Sequence, residues 1–262
     1  MQRYLRVYRK LCEMSLETLM AYRANFINSM GSSFAWGIFS FISIFLLTSK
    51  TTSVYGWKRE EIILLTCAYS IMIGVFHTLF SRNFERMAEI INFAQLDTFL
   101  VKPMDSQFLL SMRWVNYTAS TRVLLGIGFL FYFRRIIAIE LNPLAIALFF
   151  VLLFFGLLLL YSIWFIVATF LIWSPRLSNL IELMYSVSGM TRFPGEMYKN
   201  ASEYLFLFLL PITLIITTPI KFLVARASLF DVLSLLFFAA VLFVISRKLW
   251  KFALRYYTSA SS

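Results

Sequence analysis

One histidine, His77, and two cysteines, Cys12 and Cys67, are the whole supply of imidazole and thiol metal ligands in 262 residues. A multi-histidine metal centre is thereby excluded, and neither the number nor the spacing of the cysteines suggests a disulfide framework or a zinc site. A zincin pair, two histidines one helical turn apart, fails on the same count. Glycine is scarce as well. None of the nine precedes a lysine, so the Gly-Lys-Ser or Gly-Lys-Thr end of a phosphate-cradling loop is missing, and with it nucleotide hydrolysis by this chain. Charged residues make up only 14%. No cleavable signal peptide pattern precedes the first apolar run, which begins near residue 24 after seven charged residues.

What is abundant is apolar surface: 60% of the residues are hydrophobic and the mean hydropathy is +0.78. Soluble domains sit near 45–50% apolar, so a water-soluble globule is ruled out. The excess is gathered into runs such as 144–173, which carries no charge and exceeds the ~20 residues a membrane span needs. The fold expected is an all-α integral membrane protein, one polytopic domain over 1–262, with spans at 25–47, 62–80, 114–133, 143–173, 177–190 and 229–245. Ahead of them, 1–23 has apolar residues recurring at three and four, as in an interfacial amphipathic helix or an extension of the first span. Between the second and third spans, 81–113 mixes both signs of charge with apolar residues at helical spacing. Pro103 interrupts it, and Asp97 and Asp105 can cap short helices on either side.

Residues 174–226 are the least regular. Pro194, Pro211 and Pro219 fall there, and two prolines eight apart in the run 204–224 predict broken half-helices that re-enter instead of one straight span. With that run re-entrant and both termini cytoplasmic, 14 basic residues lie inside and nine outside, with Arg122 left within a span. The surplus of 24 basic over 13 acidic residues is then the mark of helix ends held against anionic lipid, and no nucleic-acid partner is expected.

Charges inside spans are costly and normally face a bundle interior, a cavity or a partner. Arg122 and Glu182 are the two. Either each is satisfied locally, Arg122 by snorkelling, or they pair between helices. An intramembrane hydrolase built on Ser188 and His77 is a rival reading, as is a membrane scaffold or assembly protein.

Four segments carry a resemblance. Residues 95–104 read Gln-Leu-Asp-Thr-Phe-Leu-Val-Lys-Pro-Met; 192–198 read Arg-Phe-Pro-Gly-Glu-Met-Tyr; Pro211 and Pro219 recur in one run; and the chain ends Leu-Arg-Tyr-Tyr-Thr-Ser-Ala-Ser-Ser. Together, in this order, they resemble the six-span permease subunits of bacterial type-2 ABC exporters, the ABC-2 family transporter proteins. Ala94 and Gln95 depart from the pattern, which has glycine and an acidic residue there.

The resemblance implies a transport pathway without its own motor, in the bacterial inner membrane. The loop at 81–113 would dock on a separate ATP-binding cassette subunit that holds ATP and magnesium, with Asp97, Lys102, Pro103 and Asp105 in the coupling element; no cofactor falls to this chain. Arg192, Pro194, Glu196, Tyr198, Pro211 and Pro219 would build a re-entrant outer gate. A second permease, a copy or a relative, would complete the pathway.

Overall fold

The computed structural model describes residues 2–49, 53–133, 143–174, 177, 179–199 and 203–257, apart from the side chains of 199 and 203–209. Lys50, Arg134, Arg135, Arg176 and the tail motif at 258–262 lie outside the described residues. The described chain is almost entirely helical.

Helix α1 (Gln2–Ala21) buries no side chain, and α2 (Arg23–Thr48) follows after a single turn residue. A two-residue hairpin, β1 (Ser53–Val54) with β2 (Trp57–Lys58), turns through Tyr55 and Gly56. Both turn residues have positive φ, 52° and 79°, as the twist of a two-residue hairpin requires. Helix α3 (Arg59–Phe76) starts where the Glu61 carboxylate accepts from the Lys58 backbone N–H at 2.8 Å. It runs on through a π-helical turn, His77–Ser81, into α4 (Arg82–Glu85) and α5 (Met87–Asn92). The four make one apolar rod of 34 residues, about 51 Å at 1.5 Å per residue. Short helices α6 (Asp97–Leu100) and α7 (Ser106–Met112) lead to α8 (Ser120–Phe133). After α9 (Pro143–Thr169) come α10 (Asn179–Met190), α11 (Gly195–Lys199), α12 (Glu203–Leu223) and α13 (Leu229–Ala253). A reciprocal capping box opens α13: Ser228 N–H donates to Asp231 Oδ2 at 2.9 Å and Asp231 N–H to Ser228 Oγ at 3.1 Å.

Among the described residues four helices are long and apolar enough to cross a membrane: Arg23–Thr48, Arg59–Asn92, Pro143–Ile172 and Leu229–Ala253. Helices α8 and α10 are shorter, 14 and 12 residues.

Two expected boundaries need correction. Residues 114–119 are not helical but form a loop and a 3₁₀ turn, Tyr117–Ala119. The reason is tertiary: Asn83 clamps the backbone of Trp114, its Oδ1 accepting from the N–H and its Nδ2 donating to the C=O, both at 2.9 Å. The N–H of Asn116 then donates to the Thr78 carbonyl at 2.8 Å, within the widened π turn. The run 204–224 is also not two half-helices: α12 is one helix with Pro211 and Pro219 inside it. Pro219 has no N–H for the Ile215 carbonyl. That carbonyl instead lies against Gly156 of α9, where an added Cβ would stand 2.5 Å from the oxygen. Lacking a side chain, Gly156 admits the carbonyl and lets the two helices touch through backbone.

Helices α3 and α8 pack in the same manner, backbone on backbone, at Gly74 and Gly126. The core between α3, α9 and α13 is aromatic: Phe76 and Phe84 lie against Trp164, Phe80 against Tyr161, and Trp250 edge-on against Phe165 at 5.4 Å. Such pairs add ~0.5–1.5 kcal/mol each beyond the area they bury.

Candidate functional site

The two ends of the bundle differ, and the expected site residues divide between them. One end gathers α1, the segment 82–117 and the C-terminal part of α13. There Asp105 caps α7, accepting from Phe108 N–H at 2.9 Å, and binds Arg247 of α13 through both oxygens at 2.8 and 2.7 Å. The bond to Arg247 holds the Asp105 carboxyl below the usual carboxylate range, against the opposing effect of partial burial, with the Phe108 N–H adding to it. Arg247 also donates to Gln107, whose amide reaches the Tyr161 hydroxyl of α9 at 3.0 Å. Trp250 Nε1 donates to Ser106 at 2.9 Å. From α1, Tyr4 accepts from the Asp105 N–H at 3.3 Å and Ser15 from the Val115 N–H at 3.2 Å.

The base of this segment is therefore tied to three other helices, whereas its tip is bare. Val101 is 85% and Phe93 69% exposed, with Leu100, Lys102 and Pro103 also exposed between Phe93 and the cap. Lys102 and Arg113 both lie over the buried Phe99 ring, at 5.5 and 4.9 Å. Asp97 is the first residue of α6, after Leu96, so it does not cap that helix with its side chain. Only Asp105 fulfils the capping expectation.

At the opposite end, the hairpin meets α11 and the end of α12. Glu196 bonds Lys221 at 2.6 Å and accepts from Trp57 Nε1 at 3.0 Å, and Trp57 is 1% exposed. Glu61 bonds Arg226 at 2.6 Å, and Arg226 also donates to the Gly56 carbonyl. Tyr198 donates to the Met190 carbonyl at 3.0 Å, and Pro194 is buried where α11 starts. Glu196, Tyr198 and Pro194 thus lie together, close to Thr213 through Gly195.

Arg192 does not join them. With Arg122 it lines a cavity of about 170 Å³ between α2, α3 and α8, beside Ser40, Tyr69 and Ser70. Arg192 follows the end of α10 by two residues, and the twelve residues of α10 rise only ~18 Å. Among the described residues no ion pair joins Arg122 to Glu182, which sits exposed in the first turn of α10. The run 177–190, short of the ~20 residues of a full crossing, was the signal that Arg192 need not lie with the hairpin.

Ser188 and His77 do not form a nucleophile and base. The Ser188 hydroxyl donates to the Met184 carbonyl at 2.7 Å and accepts from Trp164 Nε1 at 2.8 Å. His77 instead stacks on Tyr185, ring centres 5.3 Å apart, and Tyr185 hydrogen-bonds Glu85.

A family model described as ABC-2 family transporter protein matches residues 34–261, which takes in the bare-tipped segment, both arginines of the cavity and the double-proline helix. No curated protein and no solved structure matches the chain. Nearly the whole sequence falls within the match, and with its apolar helices the chain belongs to the ABC-2 transporter family, as an integral membrane permease.

Proposed function

We propose that this permease forms the substrate pathway of an ABC exporter driven by a separate ATP-binding subunit, with no nucleotide site or catalytic activity of its own. The observation that carries the proposal is the segment 82–117: a base pinned to α1, α9 and α13, and a tip exposing Phe93, Leu100, Val101 and Lys102. A lever needs both properties. A rigid base transmits displacement to the membrane helices, and an exposed apolar tip beside a cation can dock on another subunit. ATP and magnesium stay with that subunit, whose closure shifts two permeases, alike or related, between inward- and outward-facing packings.

Six crossings, with α8 and α10 as the shorter ones and α12 re-entrant, put both termini and the lever in the cytoplasm of a bacterium and the hairpin outside. The cluster of Glu61, Glu196, Lys221 and Arg226 then ties the outer gate. The scaffold and intramembrane-hydrolase readings have less support: a scaffold needs no lever, and the Ser188 hydroxyl already has both partners.

Co-purification from the native membrane tests the proposal. A stoichiometric ATP-binding subunit with vanadate-sensitive ATPase activity is expected, and Val101→Asp with Lys102→Glu should release it while the permease stays folded. A permease recovered alone under several mild detergents, or an ATPase retained by the variant, would overturn it.

A further inference from the structure

The proposed transport function leaves open what is carried, and the cavity holding Arg122 and Arg192 bears on that. Its position follows from the helices that wall it. Gly74, whose added Cβ would lie 3.2 Å from the Arg122 Cβ, is fifteen residues into the rod that begins at Arg59, about 22 Å from that end. Gly37 and Ser40, from the middle of α2, line the same cavity. The two guanidinium groups therefore belong to a cavity walled by the interior of two apolar helices long enough to cross a membrane, away from the ends of both.

Neither has an acidic partner among the described residues. Of the ion pairs formed there, none includes Arg122 or Arg192. The Nε atom of each arginine and the Oγ of Ser40 are buried without a hydrogen-bond partner, so three unsatisfied polar atoms belong to one small cavity. Two like charges and orphaned donors in such a cavity are costly. A bound anion would supply acceptors to the donors and offset both charges. Guanidinium forks match the planar oxygens of carboxylate and the tetrahedral oxygens of phosphate.

The rim is apolar. Trp36 and Phe39 lie edge to face at 5.8 Å, and Trp36 is 64% exposed, so whatever places an anion here also has apolar surface to lay against α2. A freely hydrated ion would lose its water and gain nothing from that rim.

We infer that the cavity receives the anionic headgroup of an amphiphile, phosphate monoester or carboxylate, with its apolar body against the aromatic side of α2, and that this class is the exporter's substrate. The inference rests on the transport reading for the word substrate, but binding itself does not require the ATPase.

The test uses the full chain, with its co-purified partners, in phosphatidylcholine nanodiscs. Oleoyl lysophosphatidate and oleate are titrated against oleoyl lysophosphatidylcholine and inorganic phosphate, with binding followed by thermophoresis. Saturable binding of the two anionic amphiphiles is expected, at least tenfold tighter than the zwitterionic one, with no competition from millimolar phosphate. Arg122→Gln with Arg192→Gln should weaken it at least tenfold. Arg122→Lys with Arg192→Lys, which keeps the charges, should retain more of it, and Arg3→Gln, on exposed α1, should leave it unchanged. Elution volume and melting temperature establish that each variant is folded. Equal binding of the zwitterionic lipid, displacement by phosphate alone, or full binding by the folded double glutamine variant would overturn the inference. Loss of the ATPase with binding intact would count against the exporter reading alone; absent binding with the ATPase attached counts against this inference alone.

Discussion

The strongest mechanical prediction concerns Asp105, because one carboxylate serves both as helix cap and as the anchor of the segment to α13. Asp105→Ala removes a cap contributing ~1 kcal/mol. It also removes the two-point bond to Arg247. Both side chains keep about a third of their exposure, 32% for Asp105 and 34% for Arg247, so solvent screens the pair and it contributes no more than ~1 kcal/mol. The loss should total about 2 kcal/mol. Asn caps as well as Asp, so Asp105→Asn should cost about half as much. A double-mutant cycle with Arg247→Ala, read by SDS titration in mixed micelles, should give a coupling of about 1 kcal/mol. The pH dependence has a definite sign. Because Arg247 lowers the folded-state carboxyl, its stabilisation is complete above the unfolded value of about 3.9 and fades only as pH falls through the depressed folded value. The coupling should therefore be constant from pH 8 to pH 5. Asn as harmful as Ala, a coupling near zero, or one that declines between pH 7 and pH 5 would refute the reasoning.

Three further substitutions probe the packing. Gly156→Ala sets a methyl 2.5 Å from the Ile215 carbonyl and must part α9 from α12, at ~1–3 kcal/mol, whereas Gly31→Ala meets nothing within 4 Å and should be neutral or stabilising; melting temperatures in detergent compare them. Asn83→Leu strips the Trp114 backbone of both partners at once and should destabilise by ~2–3 kcal/mol, seen as faster hydrogen exchange confined to 113–119.

The long crossings were legible because their cause is local: an uncharged run such as 144–173 has to be helical in lipid, whatever surrounds it. Ends set by distant residues were not. Trp114 opens an apolar run that continues helically only from Ser120, since a side chain thirty-one residues earlier takes its backbone bonds. Pro211 and Pro219 read as breaks, yet the missing bond at Ile215 is accommodated by a glycine on another helix, which no local pattern discloses. In the site, Arg122 stood out by its apolar neighbours. Its companion did not, because Arg192 sits in a polar stretch and joins Arg122 only in the folded bundle. Glu182, the acid considered for Arg122, is on an exposed turn. Of the coupling residues Asp105 was read correctly as a cap, but its bond to Arg247 spans 142 residues and leaves no trace in spacing.

The π turn at His77–Ser81 gives the long rod an unusual capability. One extra residue per turn rotates everything beyond it by roughly 100° relative to an unbroken α-helix. Tyr69, Ser70 and Gly74 above the turn therefore address α8 and the arginine cavity, while Asn83 below it grips Trp114. The widened turn is thus a register store in a rod that links the hairpin end to the bare-tipped segment. Moving it by a few residues would twist the cavity wall without changing the rod's length, so a push at Val101 could be delivered to Arg122 as rotation.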